Sequence, residues 1–170
     1  YLLRFYLQFH NKDNCIVNDE WVAYIGYEGI RHVWKKDKIE TLKLSKRFSQ
    51  AKKRHQLFLE TGNLTDELIS DTLFLAKLDL YVRSRLIAPD IFIESKLDIE
   101  DLRNLYNGIN SSVFATTEKC FLNPHFGDGS ALVRGADADI ILGDTLIDVK
   151  VTKNLKIERE YFNQIIGYYI

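Results

Sequence analysis

The 170-residue chain has no methionine, two prolines, two cysteines and a net charge of only −1. Each shortage excludes something. So little proline, with nine glycines, rules out a low-complexity or disordered segment. Cys15 and Cys120 show no metal-type spacing and cannot furnish the ligands of an iron–sulfur cluster. They read as reduced cytoplasmic thiols rather than as a disulfide framework. No apolar run approaches the roughly 18–20 residues needed to span a bilayer, so no membrane partner is expected. Arg4, Gln8, His10 and Lys12 interrupt the apolar start, so no signal peptide is read there. A GxxxxGK[ST] phosphate loop is missing, which excludes that kind of ATP-driven motor. With no methionine and a last residue, Ile170, inside a helical pattern, the C-terminal end reads as truncated.

What is present begins with an uneven charge. Residues 31–60 hold ten basic residues against three acidic ones, a local net of +7, so the remainder sums to −8. Such asymmetry suits a surface for polyanions. Leu44, Phe48, Ala51, His55 and Phe58 recur at helical spacing and predict one buried face, with Lys52, Lys53 and Arg54 among the candidates for nucleic-acid contact. Gly62 is read as the end of that helix. Thr65 is a good N-cap for a second helix, carried by Ile69, Leu73, Ala76 and Leu80 toward Leu86 and closed by Pro89. Asp98 is the expected cap of a third, with Ile99, Leu102, Leu105, Tyr106 and Ile109 on one side. Tyr1–Phe9 suits a strand or a buried helix, and the type of Glu20–Trp34 is left open. Residues 1–110 thus read as a mostly helical portion, and 111–170 as a second region.

In that second region Ala131–Val133, Asp137–Leu142 and Thr145–Val151 are strand-like. Gly143-Asp144 suits a two-residue hairpin turn. Counting outward from it pairs Leu142 with Thr145, Ile141 with Leu146, Ile140 with Ile147 and Asp139 with Asp148. Opposed side chains in such a ladder have Cβ atoms roughly 4.5–5.5 Å apart, where two carboxylates repel unless a cation lies between them. Hard oxygen ligands of that charge suit Mg²⁺ or Mn²⁺. Lys150 follows Asp148 by two residues and shares its face. Ile140, Leu142, Ile147 and Val149 are expected on the opposite, packing face. Asp137 falls across from Lys150, as an ion-pair partner or substitute ligand. Taken alone, an acidic pair with a nearby lysine more often marks a solvated hairpin than a site.

Further residues extend the pattern. Gly135-x-x-x-Asp139, then Asp148-x-Lys150, is followed fourteen residues after Lys150 by Gln164-x-x-x-Tyr168 in a helical stretch. In this order the segment 115–170 resembles the PD-(D/E)xK nucleases, in the RecB-like and Cas4-like branch with a QxxxY motif. It departs from the Cas4-like branch in lacking the cluster cysteines. The resemblance implies an α/β, restriction-endonuclease-like core, a central mixed sheet flanked by helices, beside the helical N-terminal portion. It implies a Mg²⁺-dependent deoxyribonuclease, of phage, plasmid or defence-system origin, that hydrolyses phosphodiester bonds in DNA, or less often RNA, by a metal-activated water. Asp139 and Asp148 would be metal ligands, with Glu118, or Glu100 behind it, as the upstream acidic ligand. Lys150 would position the water, and Gln164 and Tyr168 would support the site. Apart from the resemblance, Arg134, Lys153, Lys156 and Arg159 surround the site in sequence and are candidate phosphate contacts, although a basic residue there more often marks a solvated surface, and His125 precedes the site strands. A catalytically inactive nucleic-acid-binding or assembly module on the same fold is the alternative.

Overall fold

The computed structural model describes residues 1–17, 21–114, 116–124, 138–150, 156 and 158–167. It is an α/β protein whose described residues form seven helices and one four-stranded mixed sheet. The chain divides into two compact units, residues 1–10 with 19–111, and residues 11–18 with 112–170. Residues 11–18 thus belong with the C-terminal sheet rather than with the helical portion around them. No helix among the described residues is long and apolar enough to cross a membrane.

The first unit consists of α1 (Leu2–His10), α2 (Val22–Val33), α3 (Lys38–Thr61), α4 (Asp66–Ser84) and α5 (Lys96–Asn107). Its core joins Phe5, Tyr27, Ile30, Leu44, Phe48, Phe58, Leu68, Phe74, Leu75 and Leu78. The segment left open as to type is α2, and its glycines explain the ambiguity. A Cβ on Gly26 would stand 2.0 Å from the Leu78 carbonyl oxygen, and one on Gly29 would stand 2.6 Å from the Tyr81 ring. Glycine weakens a helix locally, yet here it lets two helices approach backbone to backbone.

α3 buries the five residues its spacing predicted, Leu44, Phe48, Ala51, His55 and Phe58. Asp37 caps it by accepting from the Ile39 and Glu40 amides, and Gly62 ends it at φ 70°. Thr65 caps α4 as expected, accepting from the Leu68 amide. Of the four residues expected to carry α4, Ile69 is buried and Leu73 half-buried, but the other two are not. Leu68, Ile69, Thr72, Phe74, Leu75, Leu78 and Tyr81 are buried, while Ala76 and Leu80 are exposed. The helix packs against α2, α3 and α5 together. It is therefore apolar around most of its girth, and the spacing fits more than one face. α4 ends at Ser84, with Arg85 left-handed at φ 60°, before Pro89 is reached. Ser95, not Asp98, caps α5, its hydroxyl accepting from the Leu97 amide. Asp98 stands instead in the first turn, where its charge suits the helix dipole.

The second unit holds the short helix α6 (Ser111–Phe114), the strands β1 (Cys15–Val17), β2 (Cys120–Leu122), β3 (Ile140–Leu142) and β4 (Thr145–Ile147), and α7 (Arg159–Gly167). The sheet order is β1-β2-β3-β4; β1 runs parallel to β2, and the other neighbours are antiparallel. Neither β1 nor β2 was read from the sequence, since three-residue strands leave too little alternation to detect. Ala131–Val133, Asp137 and Val151 fall outside the described residues.

Candidate functional site

The hairpin forms in the expected register. Leu142 pairs with Thr145, Ile141 with Leu146 and Ile140 with Ile147. Gly143 takes φ 58° at the turn, a conformation glycine adopts without strain. The ladder stops one pair before the acidic residues, so Asp139 and Asp148 stand just beyond its open end. There the Asp139 carboxylate reaches across and accepts from the Val149 amide at 2.6 Å. The Asp139 carbonyl accepts from the Asn123 amide at 2.9 Å, which ties the end of β2 to the same spot. Lys150 Nζ lies 2.9 Å from Asp148 Oδ2, whose side chain is only 4 % exposed.

The electrostatics follow from this crowding. Burial raises the Asp139 carboxyl above the ordinary range. The Val149 amide pulls it back, the neighbouring Asp148 pushes it up, and Lys150 pulls it down. Two neighbouring carboxylates, with one lysine paired to Asp148, make a site of net negative charge. Ile140 and Leu142 are buried on the packing face as expected, but Val149 is 44 % exposed. The ladder has ended by Val149, so it no longer follows the strand alternation.

Other expected residues lie elsewhere. A Cβ on Gly143 would stand 2.4 Å from Glu118 Oε2, so the Glu118 side chain sits at the turn. Asp139 is beyond the other end of β3, four residues from Gly143 and so roughly 13 Å away at about 3.3 Å per strand residue. The structure therefore does not bring Glu118 to the acidic pair. Glu100 is an exposed residue of α5 in the helical unit. Among the described residues no group of three or more His, Cys, Asp or Glu side chains is placed to hold a metal ion. Gln164 is half-buried on α7. Arg159 and Lys156 are exposed. Tyr168, Arg134, Lys153, His125 and Asp137 lie outside the described residues.

The basic helix α3 divides into two kinds of cation. Lys53 is exposed, and exposed Lys52 holds its ammonium 5.2–5.3 Å from the Phe48 and Tyr24 ring centroids. Arg54 is partly buried and ion-paired inward. Its Nε lies 2.5 Å from Asp71 Oδ2, and Arg47 lies 2.7 Å from Asp71 Oδ1. The Asp71 side chain is fully buried, so both guanidiniums serve to neutralise it.

Asn123 is the residue at the site that the sequence reading overlooked. Its φ of 49° is left-handed, and its amide holds Asp139. The signal was the Asn123-Pro124 dipeptide, a common turn opening. No protein-family model, curated protein or solved structure matches this chain.

Proposed function

We propose that the sheet unit is a metal-dependent nuclease core of the restriction-endonuclease-like kind, acting on phosphodiester bonds in DNA. The observation that carries this reading is the juxtaposition at the open end of the hairpin: Asp139 and Asp148 side by side, with the Lys150 ammonium on Asp148. A bound Mg²⁺ or Mn²⁺ would supply a Lewis acid and a water of lowered pKa. The donor set fits such an ion in part. It offers two hard anionic oxygen donors whose mutual repulsion a cation relieves, and Mg²⁺ commonly keeps several waters beside one or two carboxylates. Asp139 and Asp148 would hold it.

This chain's own residues then have distinct tasks. The Asn123 and Val149 amides fix Asp139 from either side, so the carboxylate does not have to be ordered when substrate arrives. Lys150 sits where an ammonium can orient the attacking water and offset charge building on the scissile phosphate. Gln164, on α7, and Tyr168, four residues further along the sequence, are proposed to support the site. Lys52, Lys53, Lys156 and Arg159 are proposed to add salt-sensitive contacts to the DNA backbone, along with Arg134 and Lys153.

The test is cleavage of single- and double-stranded DNA with Mg²⁺ or Mn²⁺, comparing the protein with Asp148→Asn and Lys150→Ala. Metal-dependent cleavage lost in both variants supports the proposal; equal cleavage by all three proteins, or none under either metal, overturns it. A second reading has its own support. The Asp139–Val149 and Asp148–Lys150 contacts already engage both carboxylates, which suits a non-catalytic nucleic-acid-binding module on the same scaffold. Salt-dependent DNA binding without cleavage identifies it.

A further inference from the structure

Cys15 and Cys120 are 105 residues apart in the chain, yet their Sγ atoms lie 3.8 Å apart. They face each other because β1 and β2 run parallel with Cys15 directly opposite Cys120. Directly opposed residues on neighbouring strands project from the same side of the sheet. Strands stand about 4.8 Å apart, which falls inside the usual 4.4–6.8 Å Cα span of a disulfide. Neither cysteine is in a disulfide. Their reach differs: Cys15 is half-buried, whereas Cys120 is fully buried.

The surroundings make this contact a fixed one. The Cys120 amide donates to the Asn14 carbonyl at 3.0 Å. Asn11 receives the Thr116 amide at 2.9 Å and donates to the Phe114 carbonyl at 3.0 Å. Asn14 donates to the Thr116 carbonyl. The segment carrying Cys15 is thus laid along the chain leading into β2 by polar contacts on the N-terminal side of both cysteines. Beyond the cysteines two register pairs among the described residues, Ile16 with Phe121 and Val17 with Leu122, continue the strand pairing.

We propose that Cys15 and Cys120 form a reversible peroxide-driven disulfide that latches β1 to the sheet carrying the acidic pair. The chemistry balances with hydrogen peroxide as the named oxidant. The Cys15 thiolate attacks one peroxide oxygen, breaking the O–O bond. This gives a sulfenic acid on Cys15 and hydroxide, which takes up the proton the thiol released and becomes water. The Cys120 sulfur then attacks the Cys15 sulfur, forming the S–S bond and breaking the S–O bond. The displaced hydroxide leaves as a second water with the Cys120 proton. Two thiols are oxidised, one peroxide is reduced to two waters, and a dithiol reductant reverses the result. The contact with Cys15, and then burial, hold the Cys120 thiol well above its ordinary range, and Cys15, the more exposed sulfur, is the one that meets the oxidant first. A bond joining residues so distant in the chain restricts the unfolded state strongly.

The experiment treats the intact protein with hydrogen peroxide, denatures it, alkylates remaining thiols and measures intact mass and peptide maps. The expected result is a monomer lighter by two hydrogens that takes up no alkylating agent. A Cys15–Cys120 crosslinked peptide pair appears, and the melting temperature rises by several degrees and falls back with dithiothreitol. Cys120→Ser should halt at the Cys15 sulfenic acid, trapped by dimedone, whereas Cys15→Ser should leave Cys120 reduced at the same peroxide dose. Two alkylatable thiols after treatment, over-oxidation of Cys15 without a crosslink, or a disulfide formed only between molecules would each overturn the proposal. None of these outcomes bears on whether the hairpin cleaves DNA.

Discussion

Lys150 Nζ lies 2.9 Å from one oxygen of Asp148 and 3.1 Å from the other, so a single ammonium spans a carboxylate that is almost wholly out of water. Removing Lys150 deprives the nearly buried Asp148 carboxylate of this cation. Lys150→Ala is expected to lower the melting temperature and Asp148→Asn to lower it less, with the double variant recovering part of the loss. A coupling of roughly 1 kcal/mol is anticipated for a pair that is partly exposed on the lysine side. Denaturant titrations of the four proteins measure it; strictly additive losses would remove the ion pair from the account of this site. On the proposed activity, Lys150→Ala should cost on the order of 10²-fold or more in cleavage rate.

Asp139 carries the opposite sign of effect. Its folded carboxyl is held above the ordinary range, first by burial and then by Asp148, against the pull of the Val149 amide. A group raised in this way contributes stability that is complete below its unfolded value and lost as pH rises through the folded one. At neutral pH, then, the charged pair is a strain on the fold. Asp139→Asn keeps an oxygen to accept from Val149 and removes the repulsion. In the presence of a chelator it should melt above the wild type at pH 7, with the advantage shrinking as the medium is acidified toward the carboxylate range. Millimolar Mg²⁺ should raise the wild-type melting temperature and leave Asp139→Asn unmoved. If both proteins respond to Mg²⁺ alike, the pair is not where the cation binds.

The hairpin could be read from its sequence because one local feature, Gly143-Asp144, fixes its register, and every pairing follows by counting. The buried face of α3 was legible for a similar reason: Leu44, Phe48, Ala51, His55 and Phe58 recur at the three- and four-residue spacing of a single helical face. α4 was not, since its neighbours on several sides make it apolar nearly all round. Glu118 shows a different limit. Its charge type fitted a ligand, but its side chain lies against Gly143 at the turn, because the β2–β3 register sets the start of β2 beside the turn and the end of β2 beside Asp139, which no local pattern carries. The role of Arg54 was hidden in the same way, because its partner Asp71 lies on another helix.

That partner gives a sharp prediction. Asp71 is fully buried and receives Arg54 through both oxygens and Arg47 through one. Arg47 also reaches Ser70, which in turn donates to Glu94. Asp71→Ala takes the buried anion from Arg54 and leaves Arg47 with Glu94, 3.5 Å away, and should cost roughly 3–5 kcal/mol. Arg54→Ala should be destabilising as well, and its effect on DNA affinity at equal folded fraction should be small. Lys53→Glu should do the reverse, preserving the melting temperature while weakening binding and flattening its salt dependence. Binding isotherms at several salt concentrations, corrected for folding, separate the two. A larger binding loss in Arg54→Ala than in Lys53→Glu would contradict the structural role assigned to Arg54.

His55 supplies the main pH sensitivity expected of the helical unit. Its ring lies 4.0 Å from the Phe5 ring centroid and 5.2 Å from that of Trp21, and its Nε2 is 2.9 Å from Gln8 Oε1. Burial, followed by the nearby Arg4 charge, lowers its pKa from 6.5 to about 4. A histidine depressed in this way contributes stability that is complete above its unfolded value and is lost as pH falls toward the folded one. The unit should therefore weaken between pH 6.5 and about 4, by on the order of 3 kcal/mol. His55→Gln loses the ring packing, so it should be less stable at pH 7. It has no proton to gain in that window, so its stability should fall less steeply with acid. Urea unfolding of both proteins at several pH values between 7 and 4 gives the two slopes. Equal slopes would mean that buried carboxylates, not His55, govern the acid response.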